Sequence, residues 1–299
     1  MNELKILINR NVKLFFKDKG TFFTSLITPI ILLVLYSTFL GNIYRDSFID
    51  ILGEIPIEDK LVGGFVGAQL FSSLIAVSCV TVAFCSNMIM VQDKISGAYR
   101  DLRMTPVKKS KLGVAYFISA EFTTLIVAAV AALASFIYLA FSGWYLSVAD
   151  VFLLFLDIFL VSTFGALLSA VVNFFLSTQG QVSGVGSIVS SCYGFICGAY
   201  MPISQFGSGL QTVLSFFPGT YATSLIRNHA MGGVFKEMET AGIPVEMIAG
   251  LKDSFDCNIY FFDSEVEIWV MYLILLATIA LLFGVLVCLY KLTANKKGK

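Results

Sequence analysis

Six blocks of 20 or more mostly apolar residues, at 21–40, 65–91, 113–141, 151–176, 182–202 and 268–290, restrict the fold more than any other feature of the chain. A helix of about 20 residues is what crosses roughly 30 Å of hydrocarbon at 1.5 Å per residue. The composition leaves no soluble alternative: 57% of residues are apolar and 13% charged, against about 45–50% and 25% in soluble domains. Backbone groups in lipid must be satisfied within each segment, and nothing alternates with the two-residue period of a barrel strand. The expected fold is therefore an all-α membrane protein with six transmembrane helices. A further apolar stretch, 206–225, is interrupted by Gly207, Gly209, Pro218 and Gly219. It reads as a re-entrant or surface-lying external hairpin after span five.

Charge orients the spans. Fifteen of the twenty Lys and Arg residues fall in 1–20, 92–112 and 291–299, whereas 41–64 and 203–267 hold five basic and thirteen acidic residues. The positive-inside rule makes the first set cytoplasmic, and six spans alternate correctly to place both termini inside. The expected location is the cell membrane, as a multi-pass protein. The first span follows too long a lead, with no small-residue cleavage site after it, to read as a cleaved secretory signal.

Residues 1–20 form a unit apart from the membrane domain, 21–299. At 100° per residue Leu4, Leu7, Ile8, Val12 and Phe15 share one arc, and Lys5, Asn9, Arg10, Lys13 and Lys17 share the other. That is the pattern of an amphipathic helix lying at the interface with its lysines on anionic headgroups, so membrane lipid is an expected partner. A basic anchor that only enforces topology uses the same residues.

The cytoplasmic segment after span two reads as a short helix, 93–104, closed by Pro106. Ile95, Tyr99 and Leu102 recur at helical spacing as one apolar stripe, with Asp93, Arg100, Asp101 and Arg103 open to water or a partner. Here the chain resembles the permeases of the type-2 ABC exporter family, the membrane subunits of drug, lipid and glycoconjugate exporters. In that family an acidic residue, a basic residue, a Gly, then a Leu and a Thr-Pro mark this loop, and Asp93, Lys94, Gly97, Leu102, Thr105 and Pro106 fit the pattern. Asp93 stands where Glu is usual and Ala98 where Thr or Ser is usual. The resemblance runs through the leading helix, the six spans, the interrupted segment and the phrase Gly219-Thr220-Tyr221 ahead of Leu225-Ile226-Arg227.

The resemblance implies two permeases, identical or merely related, working with two ATPase subunits whose closure on ATP pushes helix 93–104. Asp93, Lys94, Ile95, Gly97, Tyr99, Arg100, Leu102, Arg103, Thr105 and Pro106 would then carry ATPase coupling. A topological loop with no partner would use the same charges. The sequence has no Gly-x-x-x-x-Gly-Lys-Ser/Thr run to cradle phosphates. The chain is thus expected not to be an enzyme and to hold no cofactor, with ATP and Mg on the partner ATPase. Nothing points to nucleic acid.

Two carboxylates fall inside spans, Glu121 in the third and Asp157 in the fourth, on opposite halves of the membrane. Hydrogen bonding to neighbouring helices or snorkelling competes with a cation site or a conformational latch. In span five Gly180, Gly184, Ser187, Ser191, Gly194 and Gly198 recur at spacings of three and four, a pattern that lets helices approach closely. In the resembled family this span meets its counterpart across the dimer and helps line the pathway. Gly184, Val185, Ile188, Gly194, Phe195 and Gly198 are therefore dimer or pathway candidates, together with Tyr193, although packing within one subunit uses the same glycines.

Residues 203–267 form an acidic external region with two further expected breaks, Gly232-Gly233 and Gly242-Ile243-Pro244. Its one histidine, His229, has no metal-ligand spacing and reads as a satisfied or exposed imidazole. Five cysteines lie inside spans and Cys257 outside, so no external disulfide is expected. No catalytic constellation is present. The reading that results is an ATP-driven exporter permease for an amphipathic or lipid-like compound, such as a drug, an antimicrobial peptide or a lipid. A glycopolymer or ion ABC permease is the nearest alternative, and a secondary transporter is disfavoured because no inverted repeats or paired broken spans appear.

Overall fold

The computed structural model describes residues 2–53, 55, 57–262 and 264–295, so Lys296, Lys297 and Lys299 of the basic C-terminal segment lie outside it. Helix α1 (Asn2–Lys17) ends at Asp18, whose carboxylate caps the next helix by accepting from Thr21 N at 3.2 Å and Thr21 Oγ1 at 2.7 Å. Helix α2 (Lys19–Leu35), a π-helical turn (Tyr36–Leu40) and α3 (Gly41–Leu52) follow as one continuous rod of 34 residues. This rod runs well past residue 40, where the apolar block ends. Ser37 and Thr38 both donate to Val34 O, at 3.0 and 2.7 Å, and this competition for a backbone carbonyl sits where the ladder widens. Gly41 completes the turn, since a Cβ there would meet Tyr36 O at 2.6 Å.

Helix α4 (Asp59–Ser96) is the axis of the molecule. It is apolar on every side and buried along nearly its whole length, as expected for a helix surrounded by others. Around it stand the α2 rod, α6 (Lys109–Ser142), α7 (Val148–Phe175), α8 (Gln179–Ile196) and α10 (Pro218–Thr240). Apolar surface alone does not drive helices together in lipid, so close approach and interhelical hydrogen bonds carry the packing. Gly165 lets α7 lie against α4: a Cβ there would stand 2.8 Å from Cys79 O and 3.0 Å from Val80 Cα. Asn87 Nδ2 donates to Ala166 O at 3.0 Å and to Ser169 Oγ at 2.6 Å, while Ser86 meets Thr123 at 2.6 Å. Each such bond contributes about 0.6–2 kcal/mol in a membrane.

Among the described residues five helices are long and apolar enough to cross a membrane: the 19–52 rod, α4, α6, α7 and α12 (Ile268–Asn295). The expected fifth span, 182–202, forms α8, which stops at Ile196 and is diluted by the glycines, serines and glutamines that mark it. Capping boxes start α7, from Ser147 with Asp150, and α8, from Thr178 with Gln181.

After α8 the chain reverses through Gly198, whose φ of +73° needs glycine. A 3-10 turn (Ile203–Gln205) and α9 (Ser208–Leu214) lead to α10, with Pro218 at its first turn, so Pro218 starts a helix where the apolar pattern suggests an interruption. Helix α10 also runs through Gly232-Gly233 without the expected break. The bare backbone at Gly233 instead admits the main chain of Tyr145 from the loop between α6 and α7. The second expected break holds, for Gly242 at φ +80° and Pro244 separate α10 from α11 (Val245–Ser254). An antiparallel pair, β1 (Ile259–Phe261) and β2 (Ser264–Val266), precedes α12.

Candidate functional site

Residues 93–104 are two elements, not the single helix that periodicity implies. Asp93 to Ser96 form the last turn of α4, Gly97 is left-handed at φ +86°, and α5 (Ala98–Met104) then turns away. A Cβ on Gly97 would touch nothing, so glycine is required for its backbone and not for space.

Asp93 is buried and clamped. Arg10 on α1 reaches it through two bonds, Nη1 to Oδ2 at 2.7 Å and Nη2 to Oδ1 at 2.8 Å, and Tyr116 on α6 donates to Oδ2 at 2.6 Å. Hydrogen bonding to Asp93 holds the Arg10 guanidinium above its ordinary pKa. Arg10, assigned by helical periodicity to the headgroup face, therefore turns into the protein. The apolar arc of α1 is covered as well, because Leu7 and Phe15 bury in a cluster with Ile89, Met90, Leu112 and Tyr116. The helix is thus docked on α6 and α4 instead of resting on lipid alone. Lys111 adds an exposed ion pair to Glu3 at 2.9 Å, which lowers the Glu3 pKa by its hydrogen bond and charge.

Lys94 is fully engaged inside the molecule. Its Nζ donates to Asn173 O at 3.1 Å, Phe174 O at 2.7 Å and Leu176 O at 2.9 Å, which uses all three ammonium hydrogens. These carbonyls lie at the C-terminal end of α7, the negative end of its dipole, where Asn173 O also accepts from Leu176 N at 3.3 Å. Through Asp93 and Lys94 the last turn of α4 is wired to α1, α6 and α7 at once.

Helix α5 divides differently from its expected stripe. Tyr99 and Leu102 face inward onto the same cluster, with Tyr99 stacked 6.5 Å from Tyr116 and Arg103 lying over the Tyr99 ring at 5.7 Å. Ile95 falls before the Gly97 bend and stays exposed, as do Arg100, Asp101, Thr105 and Pro106, while Met104 is 73% exposed. The exposed surface of this segment is therefore Ile95, Arg100, Asp101, Met104, Thr105 and Pro106. Tyr99 and Leu102 fasten it to the bundle.

The span-five residues separate into two groups. Gly194 and Gly198 serve the turn: the Tyr200 ring lies over Gly194, and Tyr200 donates to Ser190 O at 3.3 Å. Val185 packs on the core and Tyr193 is buried. Gly184, Ile188 and Phe195 instead share an exposed face with Ser187 and Ser191, and a Cβ on Gly184 would touch nothing. A cavity of about 950 Å³ lies beside this face, lined by Ile31, Phe39, Ser191, Phe195 and Tyr200. Another, of about 760 Å³, lies between the 19–52 rod, α4 and α6, lined mainly by apolar side chains such as Leu33, Leu70, Leu74 and Val130.

Glu121 and Asp157 form no common site. Glu121 accepts from Thr163 at 3.1 Å, tying α6 to α7, whereas Asp157 meets His229 and Tyr272. The histidine is thus a satisfied one. Arg227 and Asp256 form a further buried pair, 29 positions apart, a pairing that no local pattern marks. Arg227 is wholly buried, donating to Gly198 O at 2.9 Å and reaching Asp256 at 3.4 Å, while Asp256 accepts from Ile203 N and Ser204 N at 2.5 and 3.0 Å. Burial raises the Asp256 carboxyl despite the guanidinium beside it. This cluster locks the reversal after α8 to α10. Its signal was Arg227 within an apolar phrase, since a cation there demands a buried partner.

Residues 2–230 match the model of the ABC-2 type transporter family, and the chain belongs to that family. It is a multi-pass membrane subunit of an ABC-type transporter, a class whose permeases generally work with an ABC ATPase. No curated protein matches the chain.

Proposed function

We propose that the chain is the permease of an ATP-driven exporter, receiving force from a separate ATPase on the exposed face of α5 and moving an amphipathic or lipid-like compound out of the cytoplasm or inner leaflet. One observation carries this reading. The exposed Arg100, Asp101 and Met104 sit on a short helix, next to exposed Ile95 on the preceding turn, and the helix's inner face and that turn are fixed to α1, α4, α6 and α7. A push on that face reaches α1 and α6 through the packing of Tyr99 and Leu102, and α7 through the adjoining turn that carries Lys94. A helix serving only as a topological basic loop has no need of such attachment.

In this reading α8 is the fifth of six spans, α9 and α10 form the re-entrant hairpin, and both termini lie in the cytoplasm. The basic segments and α5 at one end, and the acidic region with β1 and β2 at the other, support that orientation. The exposed face of α8, from Gly184 to Phe195, is where a second permease docks. The mostly apolar linings of the two cavities beside the α2 rod support an amphipathic cargo over a glycopolymer or an ion. The test is ATPase activity of the complex reconstituted in lipid. Stimulation by amphipathic compounds is expected, and stimulation only by soluble glycans or ions would overturn the cargo class.

A further inference from the structure

His229 is the only histidine in the chain, and α10 carries it into the bundle. Its Nδ1 lies 2.6 Å from Asp157 Oδ2 on α7, and Tyr272 on α12 donates its hydroxyl to Asp157 Oδ1 at 2.6 Å. The imidazole also stacks on the Tyr272 ring, with centroids 6.2 Å apart. One fully buried carboxylate thus holds three helices together. An ionised carboxylate only accepts, so Nδ1 keeps its proton toward Asp157 and Nε2 is the position that gains or loses one.

The histidine borders a cavity of about 690 Å³ that is also lined by Asn228, Lys252, Glu265, Glu267 and Trp269. This cavity lies at the end of α12 opposite Tyr290, whose hydroxyl meets Met90 toward the α5 end of the bundle. We propose that His229 and Asp157 form a proton-binding site opening to the membrane face opposite α5, whose occupancy sets how firmly α10 and α12 are held to α7.

The physical reason is charge balance. With an imidazolium the pair is neutral overall and attracted across 2.6 Å, an interaction strengthened by apolar surroundings. With a neutral imidazole the three helices enclose an uncompensated carboxylate, which is costly at membrane depth. Among the described residues the other titratable groups facing the site are Lys252 from α11, Glu265 from β2, Glu267 ahead of α12, and the Cys257 thiol along the same cavity. Arg227, nearby on α10, is engaged by Asp256 and Gly198, and Asp150 on α7 lies farther along, beside Gly232. Protonation itself is independent of the exporter reading, on which only its effect on transport rests.

Because one histidine exists, the full chain labelled with 15N-histidine in lipid nanodiscs gives the resonances of one ring. As the buffer is stepped from about pH 5 to 8 the Nε2 signal should respond while the Nδ1 proton stays hydrogen-bonded to Asp157, and Asp157→Asn should abolish the strongly hydrogen-bonded Nδ1 signal. A ring unchanged over that range, or a spectrum indifferent to Asp157→Asn, would overturn the site. In the reconstituted complex, ATPase activity should change several-fold over the same window and flatten in His229→Gln. A flat parent profile, or a variant profile identical to the parent, would overturn the regulatory role while leaving the protonation result standing. Should His229→Gln fail to insert, Tyr272→Phe takes its place: it keeps the pair but removes one donor, and an unchanged profile there counts against the role.

Discussion

Arg10 grips Asp93 through two parallel bonds of 2.7 and 2.8 Å across 83 positions of sequence, fixing α1 to the end of α4. Arg10→Ala leaves a buried carboxylate with only Tyr116 as donor and should cost about 1–3 kcal/mol. Arg10→Lys should not restore it, since an ammonium has no planar fork. Thermal unfolding in detergent, with proteolysis of α1 as a local readout, checks both. Equal stability of parent and Arg10→Ala would show that the pair holds nothing.

Gly97 separates backbone from space. With φ at +86° and no atom within 4 Å of where a Cβ would stand, Gly97→Ala should cost about 1–2 kcal/mol of left-handed strain and Gly97→Asn less. Steric blockage would instead rank Asn worse than Ala. Transport activity of the two variants, normalised to membrane insertion, decides between the orders.

Tyr99 and Met104 should fail in different ways. Tyr99→Ala unseats α5 from Tyr116 and Leu102's cluster, lowering stability by about 1–2 kcal/mol for a half-buried ring, whereas Met104→Ala should leave stability alone and weaken ATPase assembly. Arg100→Glu should do the same, and assembly should weaken as salt shortens the Debye length from about 10 Å at 0.1 M to 3 Å at 1 M. Unfolding curves and co-purification at two salt concentrations separate these effects.

The glycines of α8 also divide. Gly194→Leu should disrupt the turn by colliding with Tyr200, while Gly184→Leu should leave the monomer intact and weaken pairing. Cross-linked dimer yield and unfolding temperature for each variant are the readouts. A Gly184→Leu protein that pairs normally would place this face against lipid.

The five long apolar helices, the 19–52 rod, α4, α6, α7 and α12, were legible because lipid imposes one length and one composition on any helix that crosses it. Local reading had less purchase where partners are distant in sequence. Lys94 meets carbonyls some 80 positions away and Asp157 meets His229 at 72, separations that no periodicity encodes. Gly97 fits a helical stripe as well as any residue, and only its φ shows that the stripe is cut. Arg10 looked like a headgroup contact because α1 is amphipathic, yet a buried Asp93 claims it. The Gly232-Gly233 pair resembled a loop because tolerance of close backbone approach and helix breaking share one residue type. Continuation of the first rod to Leu52 was hidden by its polar composition beyond residue 40.

The most direct test of the central claim places a photo-crosslinking amino acid at Met104, on the outer face of α5, and at buried Leu112 as a control, in cells that also make the ATPase subunit. Met104 should capture a chain bearing the phosphate-binding Gly-x-x-x-x-Gly-Lys-Ser/Thr sequence, more strongly when ATP hydrolysis is blocked, and Leu112 should not. If the Met104 probe reaches only lipid while an ATPase still co-purifies with the permease, force enters elsewhere and α5 is not the coupling element.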